Sequence, residues 1–397
     1  MSFSDAARLR CTRCSSGHDP SKLPGLCACG GTLAYEPDLR AARSLDPAAL
    51  AGLGPGPRSL GALLPPQQRV LTLGEGGTPL RRAERLGPAC GLRDLWLKDE
   101  TVNPTGSFKD RGLALAVGMA RAHGMRRLAL ATAGNAGVSA ALYARAAGAD
   151  LKVVAPRLTP AAYLERARGW GAQVEVNGED LGEAGAALRG ALAGEERFDL
   201  STLREPYRVE GKKLIGYEIM LRMRDRPPDW IILPTGGGTA VIGVDKALSE
   251  MEVLGWLTSP GPRLAVAQAA GCAPVARAFE AGESVTCPWD GPRTKAWGLR
   301  VPSPLGGQRI LSAIGRRRGV AVAVPEEEIE RGARELRDLE GIPAGLEAGA
   351  GVAAARDLLA RGALRPEERV VLLITGLPPA GVDSPLSLPS CPESEFR

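Results

Sequence analysis

Short aliphatic runs alternate with longer segments of helical period along the chain after residue 95. The runs are bounded by turn residues and indicate buried strands, whereas the longer segments repeat apolar residues with the period of a helix. Strands are predicted at 128–131, 151–155, 173–176, 230–233, 264–267, 320–324 and 370–374. Helices are predicted at 108–122, 136–148, 160–170, 180–193, 209–223, 239–253, 326–339 and 347–361. This alternation favours an α/β fold with parallel sheets and helices on both faces.

The two ends of the chain follow other patterns. Four cysteines lie within residues 11–29, which indicates a separate N-terminal module at about 1–40. Residues 41–68 are rich in glycine and proline, including Gly54-Pro55-Gly56-Pro57, and predict a connector of short turns without a regular helix. The Pro- and Ser-rich residues 384–397 are predicted to form a flexible tail.

Composition narrows the possible functions of this 397-residue chain. It is 44% apolar, but no apolar run approaches the roughly 20 residues that span a membrane. His18 and His123 are its only histidines, which excludes most hydrolases built on a Ser/His/Asp or Cys/His set. The net charge is +5 and the arginines are scattered, so no nucleic-acid partner is predicted. The N-terminus lacks a signal-peptide pattern, and we expect a cytoplasmic protein with reduced cysteines.

The loop at 234–239 follows one predicted strand and opens a helix. Ligands of open α/β sheets bind beyond the carboxyl ends of strands, where this loop must lie. Gly236, Gly237, Gly238 and Thr239 leave backbone N–H groups unobstructed at a positive helix end, which suits a phosphate, although glycines also form plain tight turns. The loop matches neither the G-x-G-x-x-G dinucleotide pattern nor the phosphate-loop pattern of nucleotide triphosphatases.

Two further loops follow predicted strands. Thr132-Ala-Gly-Asn135 leads into a helix that Asn135 is able to cap, so this loop alone does not require a ligand. Thr375-Gly376 ends the last strand, where the threonine hydroxyl is equally suited to cap a turn or to contact a ligand.

The segment 98–112 contains a lysine in an unusual place. A turn built from Asn103, Pro104 and Gly106 brings Lys109 into the first turn of a helix, where the helix dipole disfavours a cation. A lysine so placed is expected to titrate low, and a neutral amine is what Schiff-base chemistry needs. The alternative is a solvated lysine that pairs with the neighbouring Asp110 or with Glu100.

Five motifs occur in an order that resembles one enzyme family. They are Asn103-Pro-Thr-Gly-Ser-Phe-Lys109-Asp-Arg-Gly, Thr132-Ala-Gly-Asn135-Ala-Gly, Tyr207-Arg208-Val-Glu-Gly-Lys-Lys213, Gly236-Gly-Gly-Thr239 and Thr375-Gly376. The order resembles the pyridoxal-phosphate enzymes of fold type II, the tryptophan-synthase-β-like group, and within it the threonine synthases. The resemblance extends from about Cys11 to Gly376.

The resemblance implies a role for each motif. Lys109 would bind the aldehyde of pyridoxal 5′-phosphate and then move protons at Cα and Cβ of the substrate. Asn135 would hydrogen-bond the cofactor ring oxygen, and the loop from Thr132 would receive the substrate carboxylate. Gly236, Gly237, Gly238 and Thr239 would hold the cofactor phosphate. Thr375 would face the pyridine nitrogen, and Arg208 would anchor a substrate phosphate unless it forms an ordinary surface ion pair with Glu205 or Glu210.

The resemblance also implies an activity and an architecture. The expected reaction converts the small amino acid O-phospho-L-homoserine and water into L-threonine and phosphate. The alternatives are dehydration of threonine or serine to a 2-oxo acid and replacement chemistry on another activated amino acid. The expected architecture has two doubly wound parallel-sheet domains, a large one at 41–112 and 216–383 and a small mobile one at 113–215, in a homodimer.

The four N-terminal cysteines resemble the zinc-ribbon-like segment that precedes the catalytic core in many threonine synthases. Cys11 and Cys14 form a C-x-x-C pair, and Cys27 and Cys29 form a tighter C-x-C pair. Four thiolates on two turns suit a tetrahedral structural zinc ion. The alternative is a small turn-rich module with reduced thiols and no metal.

Overall fold

A computed structural model of the protein describes residues 8–53, 59–66, 70–258 and 261–379. Its strands are β1 (Arg8–Cys11), β2 (Gly17–His18), β3 (Leu33–Glu36), β4 (Leu80–Arg82), β5 (Asp94–Asp99), β6 (Arg127–Ala131), β7 (Asp150–Ala155), β8 (Gln173–Val176), β9 (Phe198–Asp199), β10 (Trp230–Pro234), β11 (Arg263–Ala269), β12 (Val320–Val324) and β13 (Arg369–Ile374). Its helices are α1 (Pro47–Leu53), α2 (Leu86–Ala89), α3 (Lys109–Ala122), α4 (Asn135–Ala146), α5 (Ala161–Gly169), α6 (Leu181–Ala191), α7 (Tyr207–Arg222), α8 (Thr239–Leu254), α9 (Pro274–Glu280), α10 (Gly307–Arg316), α11 (Glu326–Glu340) and α12 (Leu346–Ala360).

The strands of the described residues form three sheets. The largest has the order β12-β11-β10-β13-β5-β4 and is parallel except for β4, which pairs antiparallel with β5 at one edge. The second is parallel throughout, in the order β8-β7-β6-β9. The third is a small antiparallel sheet, β2-β1-β3, at the N-terminus. The predicted α/β fold with parallel sheets is therefore confirmed.

All of the strands and helices predicted after residue 95 are present, with small differences at their ends. The prediction that residues 41–68 hold no regular helix is wrong, because α1 lies there. Pro47 occupies the first helical position, where a missing N–H costs nothing, and the Asp46 side chain accepts a hydrogen bond from the Ala48 N–H at 2.8 Å. The run Gly54-Pro55-Gly56-Pro57 and the predicted tail at 384–397 lie outside the described residues.

One continuous hydrophobic core joins the two parallel sheets. It contains Leu128 and Val153 from the four-stranded sheet and Ile231 and Val371 from the six-stranded sheet, together with apolar residues of the helices between them. The four-stranded sheet uses residues 127–199, and the six-stranded sheet uses residues 80–99 and 230–374. The boundaries of the two domains, and the mobility of the smaller one, stay predictions.

Helices α3 and α7 approach each other closely because glycines meet backbone at their contact. A Cβ atom on Gly211 would lie 2.0 Å from the carbonyl oxygen of Arg111, and one on Gly112 would lie 2.8 Å from that of Arg208. A side chain at either position would push the helices apart. The glycines therefore bring the start of α7 against the first turns of α3.

No helix of the described residues is long and apolar enough to cross a membrane.

Candidate active site

A cavity of about 610 Å³ opens where the carboxyl ends of both parallel sheets face each other. It is bordered by the loops that follow β6, β10 and β13, as expected for a ligand site in an α/β protein. Every site residue predicted outside the cysteine module lines it: Lys109, Thr132, Asn135, Arg208, Gly236, Gly237, Gly238, Thr239 and Thr375. The tertiary structure thus brings together five motifs that are far apart in the sequence.

Lys109 begins α3 at the wall of this cavity and is half-buried. Among the described residues, its ammonium group has no hydrogen-bond or ion-pair partner, and its Nζ lies 4.4 Å from the centroid of the Phe108 ring. Burial and, to a smaller extent, the positive charge of Arg208 lower the pKa of Lys109 to about 8, although the carboxylate of Glu347 opposes both effects. A substantial fraction of this amine is therefore neutral near physiological pH.

The predicted alternative, a lysine paired with Asp110 or Glu100, does not occur. Asp110 accepts hydrogen bonds from the Thr105 N–H and hydroxyl, both at 2.7 Å, and burial raises the pKa of Asp110 to about 6. Glu100 is committed to Arg111, at 2.5 Å. Asp110 and Glu100 thus both have partners other than Lys109.

The position of Lys109 is fixed by backbone contacts to the end of β13. The Phe108 N–H donates to the Thr375 carbonyl at 3.0 Å, and the Leu377 N–H donates to the Gly106 carbonyl at 2.8 Å. Gly106 has a φ of +79°, a conformation that favours glycine. The turn that delivers Lys109 is therefore tied to the loop that carries Thr375.

Behind Lys109, a fully buried ionic group secures the first turn of α3. Arg111 donates to Glu100 at 2.5 Å and to Glu218 of α7 at 2.6 Å, and Lys98 of β5 donates to Glu218 at 2.5 Å. We call Lys98, Glu100, Arg111 and Glu218 the paired cluster. Each cation has a carboxylate partner, so the cluster joins β5, α3 and α7 without an uncompensated charge.

The loop after β10 has the features of a phosphate cradle. A Cβ atom on Gly236 would lie 2.2 Å from the Gly298 carbonyl oxygen, and Gly238 has a φ of +80°, so glycine is required at both positions. None of the backbone N–H groups from 236 to 239 donates to another group within the described residues. They lie at the positive N-terminus of the 16-residue helix α8, a favourable place for an anion.

The loop after β6 carries Thr132 and Asn135. Asn135 is the first residue of α4, and its side chain does not cap the helix, because Gly134 occupies the capping position without a side-chain hydrogen bond. The Thr132 hydroxyl accepts a hydrogen bond from the Gly134 N–H at a long 3.4 Å. Both polar side chains therefore remain available to the cavity that they line.

Arg208 is not part of a surface ion pair, the alternative considered from the sequence. It is buried and donates through Nη1 to the Leu200 carbonyl at 2.7 Å, whereas its Nε has no partner among the described residues. Glu205 instead accepts from the backbone N–H groups of Tyr207 and Arg208, and Glu210 pairs with Lys213. Burial lowers the pKa of Arg208, and the nearby carboxylate of Glu205 opposes that effect.

Sequence reasoning missed two residues near the cavity. Glu347, the second residue of α12, lines the cavity and accepts a hydrogen bond from the Gly298 N–H at 2.7 Å. Lys212 is fully buried and donates to the Phe108 carbonyl at 3.0 Å. Lys212 lies within one of the five motifs, but neither role follows from the sequence, since it does not show which distant segments meet these helices.

The four N-terminal cysteines converge on one point of the small antiparallel sheet. The Sγ atoms of Cys11 and Cys29 are 3.5 Å apart, those of Cys14 and Cys27 are 3.6 Å apart, and all four lie within 4.8 Å of one another. Cys11 and Cys27 are buried, whereas Cys14 and Cys29 are exposed. The structure thus forms a four-thiol cluster from the two sequence pairs.

Lys109, with its lowered pKa, and the free N–H groups of the glycine loop share one α/β cavity, an arrangement that fits a pyridoxal-phosphate enzyme of fold type II. The family model described as "Pyridoxal-phosphate dependent enzyme" matches residues 71–376, more than half of the chain. Within this class, the chain belongs to the threonine synthase family. It is 33% identical over 370 residues to the threonine synthase of Methanosarcina acetivorans, covering 93% of this chain and 91% of the relative.

A second relative agrees with this assignment, and two solved structures share the fold. The chain is 31% identical to the threonine synthase of Methanocaldococcus jannaschii, over 92% of this chain and 91% of the relative. Maize serine racemase superimposes with a TM-score of 0.65 at 19% identity, over 75% of this chain and 87% of that one. The L-serine ammonia-lyase of the fungus Rhizomucor miehei gives a TM-score of 0.62 at 23% identity, over 75% of this chain and 93% of that one. The two structures show the shared fold alone.

Proposed function

We propose that the protein converts O-phospho-L-homoserine and water into L-threonine and phosphate. The observation that carries this proposal is that two separate anion-binding elements face one cavity, the loop 236–239 and the buried guanidinium of Arg208. One phosphate site serves the cofactor, and a second is required only when the amino-acid substrate is itself phosphorylated. The relatives named threonine synthase support the same activity.

The residues present fit pyridoxal 5′-phosphate. The unpaired Lys109 amine suits the cofactor aldehyde, and the free N–H groups of Gly236, Gly237, Gly238 and Thr239 suit its phosphate. Asn135 and Thr375 would hold the ring from opposite loops, with a neutral hydroxyl at the pyridine nitrogen. When bound, the cofactor supplies an electron sink for negative charge that develops on the substrate carbon atoms.

Lys109 is proposed to carry the protons of the reaction. Overall, Cγ of the substrate loses phosphate and gains a proton, while Cβ loses a proton and gains the hydroxyl of water. An amine with a pKa of about 8 both accepts and returns protons near neutral pH. Neither histidine of the chain lines the cavity, so this lysine is the suitable general base on its wall.

The substrate would be held at its two anionic ends. Thr132 and the backbone beside it would receive the carboxylate, at the start of helix α4. Arg208 would bind the phosphate through the guanidinium nitrogens that do not contact Leu200, since a guanidinium fork matches phosphate oxygens. These contacts would orient Cα toward Lys109.

The decisive experiment offers O-phospho-L-homoserine to the holoenzyme and measures threonine and phosphate together. Equal amounts of both products are expected, and Lys109→Ala should abolish them along with the visible absorbance of the bound cofactor. Threonine should be tested as a substrate in parallel. Formation of 2-oxobutanoate from threonine, without threonine from O-phospho-L-homoserine, would show that the protein is a dehydratase.

We also propose that Cys11, Cys14, Cys27 and Cys29 bind a structural zinc ion. Four sulfur ligands at about 2.3 Å from a tetrahedral zinc are about 3.8 Å apart, close to the Sγ distances of 3.5 and 3.6 Å. The backbone N–H groups of Cys14 and Arg13 lower the pKa of Cys11, which favours the thiolate that zinc requires. Against the backbone N–H of Gly31, however, the other thiols of the cluster raise the pKa of Cys29. All four positions are filled by protein, so the role would be structural.

Metal analysis of the purified protein tests the zinc site. About one zinc per chain is expected, and a chelator should lower the unfolding temperature, because metal binding contributes to folding. Cys14→Ser should lose the zinc, whereas the matched control Cys287→Ser, which removes an exposed cysteine outside the cluster, should keep it. A protein that contains no zinc and is insensitive to chelators would contradict this assignment.

The homodimer stays a prediction from the resemblance. Light scattering of the purified protein measures the oligomeric state.

A further inference from the structure

Lys212 is a fully buried lysine without a carboxylate partner among the described residues. Its Nζ donates to the Phe108 carbonyl at 3.0 Å and lies 3.9 Å from the centroid of the Phe108 ring. The next residue, Lys213, is equally buried but pairs with Glu210 at 2.8 Å and Glu250 at 3.0 Å. A buried lysine is costly unless it is paired or neutral, so Lys212 requires a separate explanation.

The contact of Lys212 lies directly beside Lys109 in the chain. Phe108 directly precedes Lys109, and its N–H is already bound to the Thr375 carbonyl. The Phe108 carbonyl is bound to Lys212 on α7. The peptide groups on both sides of Phe108 are thus held, one by the loop after β13 and the other by Lys212.

Lys212 lies among charged groups of both signs. Lys212 faces the cations Lys109 and Arg208 and, at lower weight, the carboxylates of Glu100 and Asp110. Burial first, and then Lys109 and Arg208, hold the pKa of Lys212 well below its ordinary value. A neutral amine still donates a hydrogen bond to a carbonyl, and it places no second cation beside Lys109.

We propose that Lys212 is a positioning residue for Lys109, which acts by holding the Phe108 carbonyl at the start of α3. This inference rests on the proposed role of Lys109 as the cofactor lysine. Lys212 does not line the cavity, so it acts only through Phe108. Without its donor, the Phe108 carbonyl would lose its contact to α7, and the backbone beside Lys109 would be held on one side only, by the Thr375 carbonyl. The pKa of Lys109 would then rise toward its ordinary value.

The test follows the reaction of cofactor-free protein with pyridoxal phosphate across pH. The rate of appearance of the visible band reports the neutral fraction of Lys109, with an expected midpoint at about 8 in the wild type. Lys212→Met and Lys212→Ala remove the donor, and we expect the midpoint of the pH dependence to rise by about one pH unit. The rate at which the visible band appears should then be about tenfold lower at pH 7. Lys212→Gln keeps a neutral donor and should restore the rate to within about threefold.

Lys213→Met is the matched control on the same helix. It removes an equally buried lysine and leaves Glu210 and Glu250 with fewer cations, so it should lower the unfolding temperature without moving the midpoint. The inference is overturned if the Lys212 variants keep the wild-type rate and midpoint, or if Lys213→Met shifts the midpoint equally. A visible band that survives Lys109→Ala would instead overturn the proposed function.

Discussion

Two groups of cations lie near the first turn of α3, and they differ in their partners. In the paired cluster, Lys98 and Arg111 each contact a carboxylate within 2.6 Å. In the second group, Lys109, Lys212 and Arg208 donate only to backbone carbonyls or to no described group. We call these three residues the unpaired cluster.

The difference in partners separates a cluster that supports the fold from a cluster that is suited to chemistry. Arg111 stays charged, because its two carboxylates raise its pKa well above the ordinary value against the effect of burial, whereas burial lowers the pKa of Lys98 although Glu218 opposes that effect. Unpaired cations are destabilised by burial, which lowers the pKa of each member of the unpaired cluster. The paired cluster therefore holds α3 in place through ion pairs, and the unpaired cluster leaves an amine and a guanidinium without carboxylate partners, as the proposed chemistry requires.

Breaking the paired cluster should produce the largest effect. Arg111→Met would leave Glu100 and Glu218 buried with one remaining cation, and we expect a loss of about 3–5 kcal/mol in the free energy of unfolding. Denaturant unfolding of the cofactor-free protein measures it. Arg157→Met is the control, since the Arg157–Glu179 pair is exposed and should contribute little to the free energy of unfolding. Similar losses in both variants would remove the contrast between buried and exposed pairs.

Substitution within the unpaired cluster should affect substrate binding more than folding. Arg208→Lys keeps a positive charge but loses the guanidinium fork, at a cost of about 2 kcal/mol, or roughly 30-fold in kcat/KM for a phosphorylated substrate. Steady-state kinetics with O-phospho-L-homoserine checks this. The visible band of the cofactor should remain, which separates loss of the substrate anchor from loss of the cofactor. An unchanged kcat/KM would show that the substrate phosphate binds elsewhere.

The smallest expected effect is the dependence of cofactor binding and of unfolding stability on pH. Because the pKa of Lys109 is lowered to about 8, the rate at which cofactor-free protein binds pyridoxal phosphate should rise about tenfold per unit up to about pH 8 and then level off. The folded pKa lies below the unfolded value, so unfolding stability should also increase as pH rises above 8 toward the ordinary lysine pKa. Stopped-flow absorbance measures the rate. A continued rise past about pH 10 would show that Lys109 titrates as an ordinary exposed lysine.

Local sequence signals predicted most of the fold, and the exceptions have physical causes. Strand β5 was missed because Asp94 and Lys98 interrupt its aliphatic residues, and only the distant Glu218 explains why Lys98 is buried there. Helix α1 was missed because nearby Gly and Pro residues obscured a segment that Asp46 caps. The buried Lys98 thus depends on a distant partner, whereas Asp46 and Pro47 mark the start of α1 locally.

The sequence by itself determined the alternation of strands and helices, the identity of the loops at strand ends and the presence of Lys109 at a helix start. These features depend on periodicity and on turn and capping residues, which act over a few positions. Only the tertiary structure decided that Lys109 lacks a carboxylate partner, that Arg208 is buried and that Lys212 supports Phe108. Burial and ion pairing set the pKa of each amine, and both depend on contacts between segments that are distant in the chain.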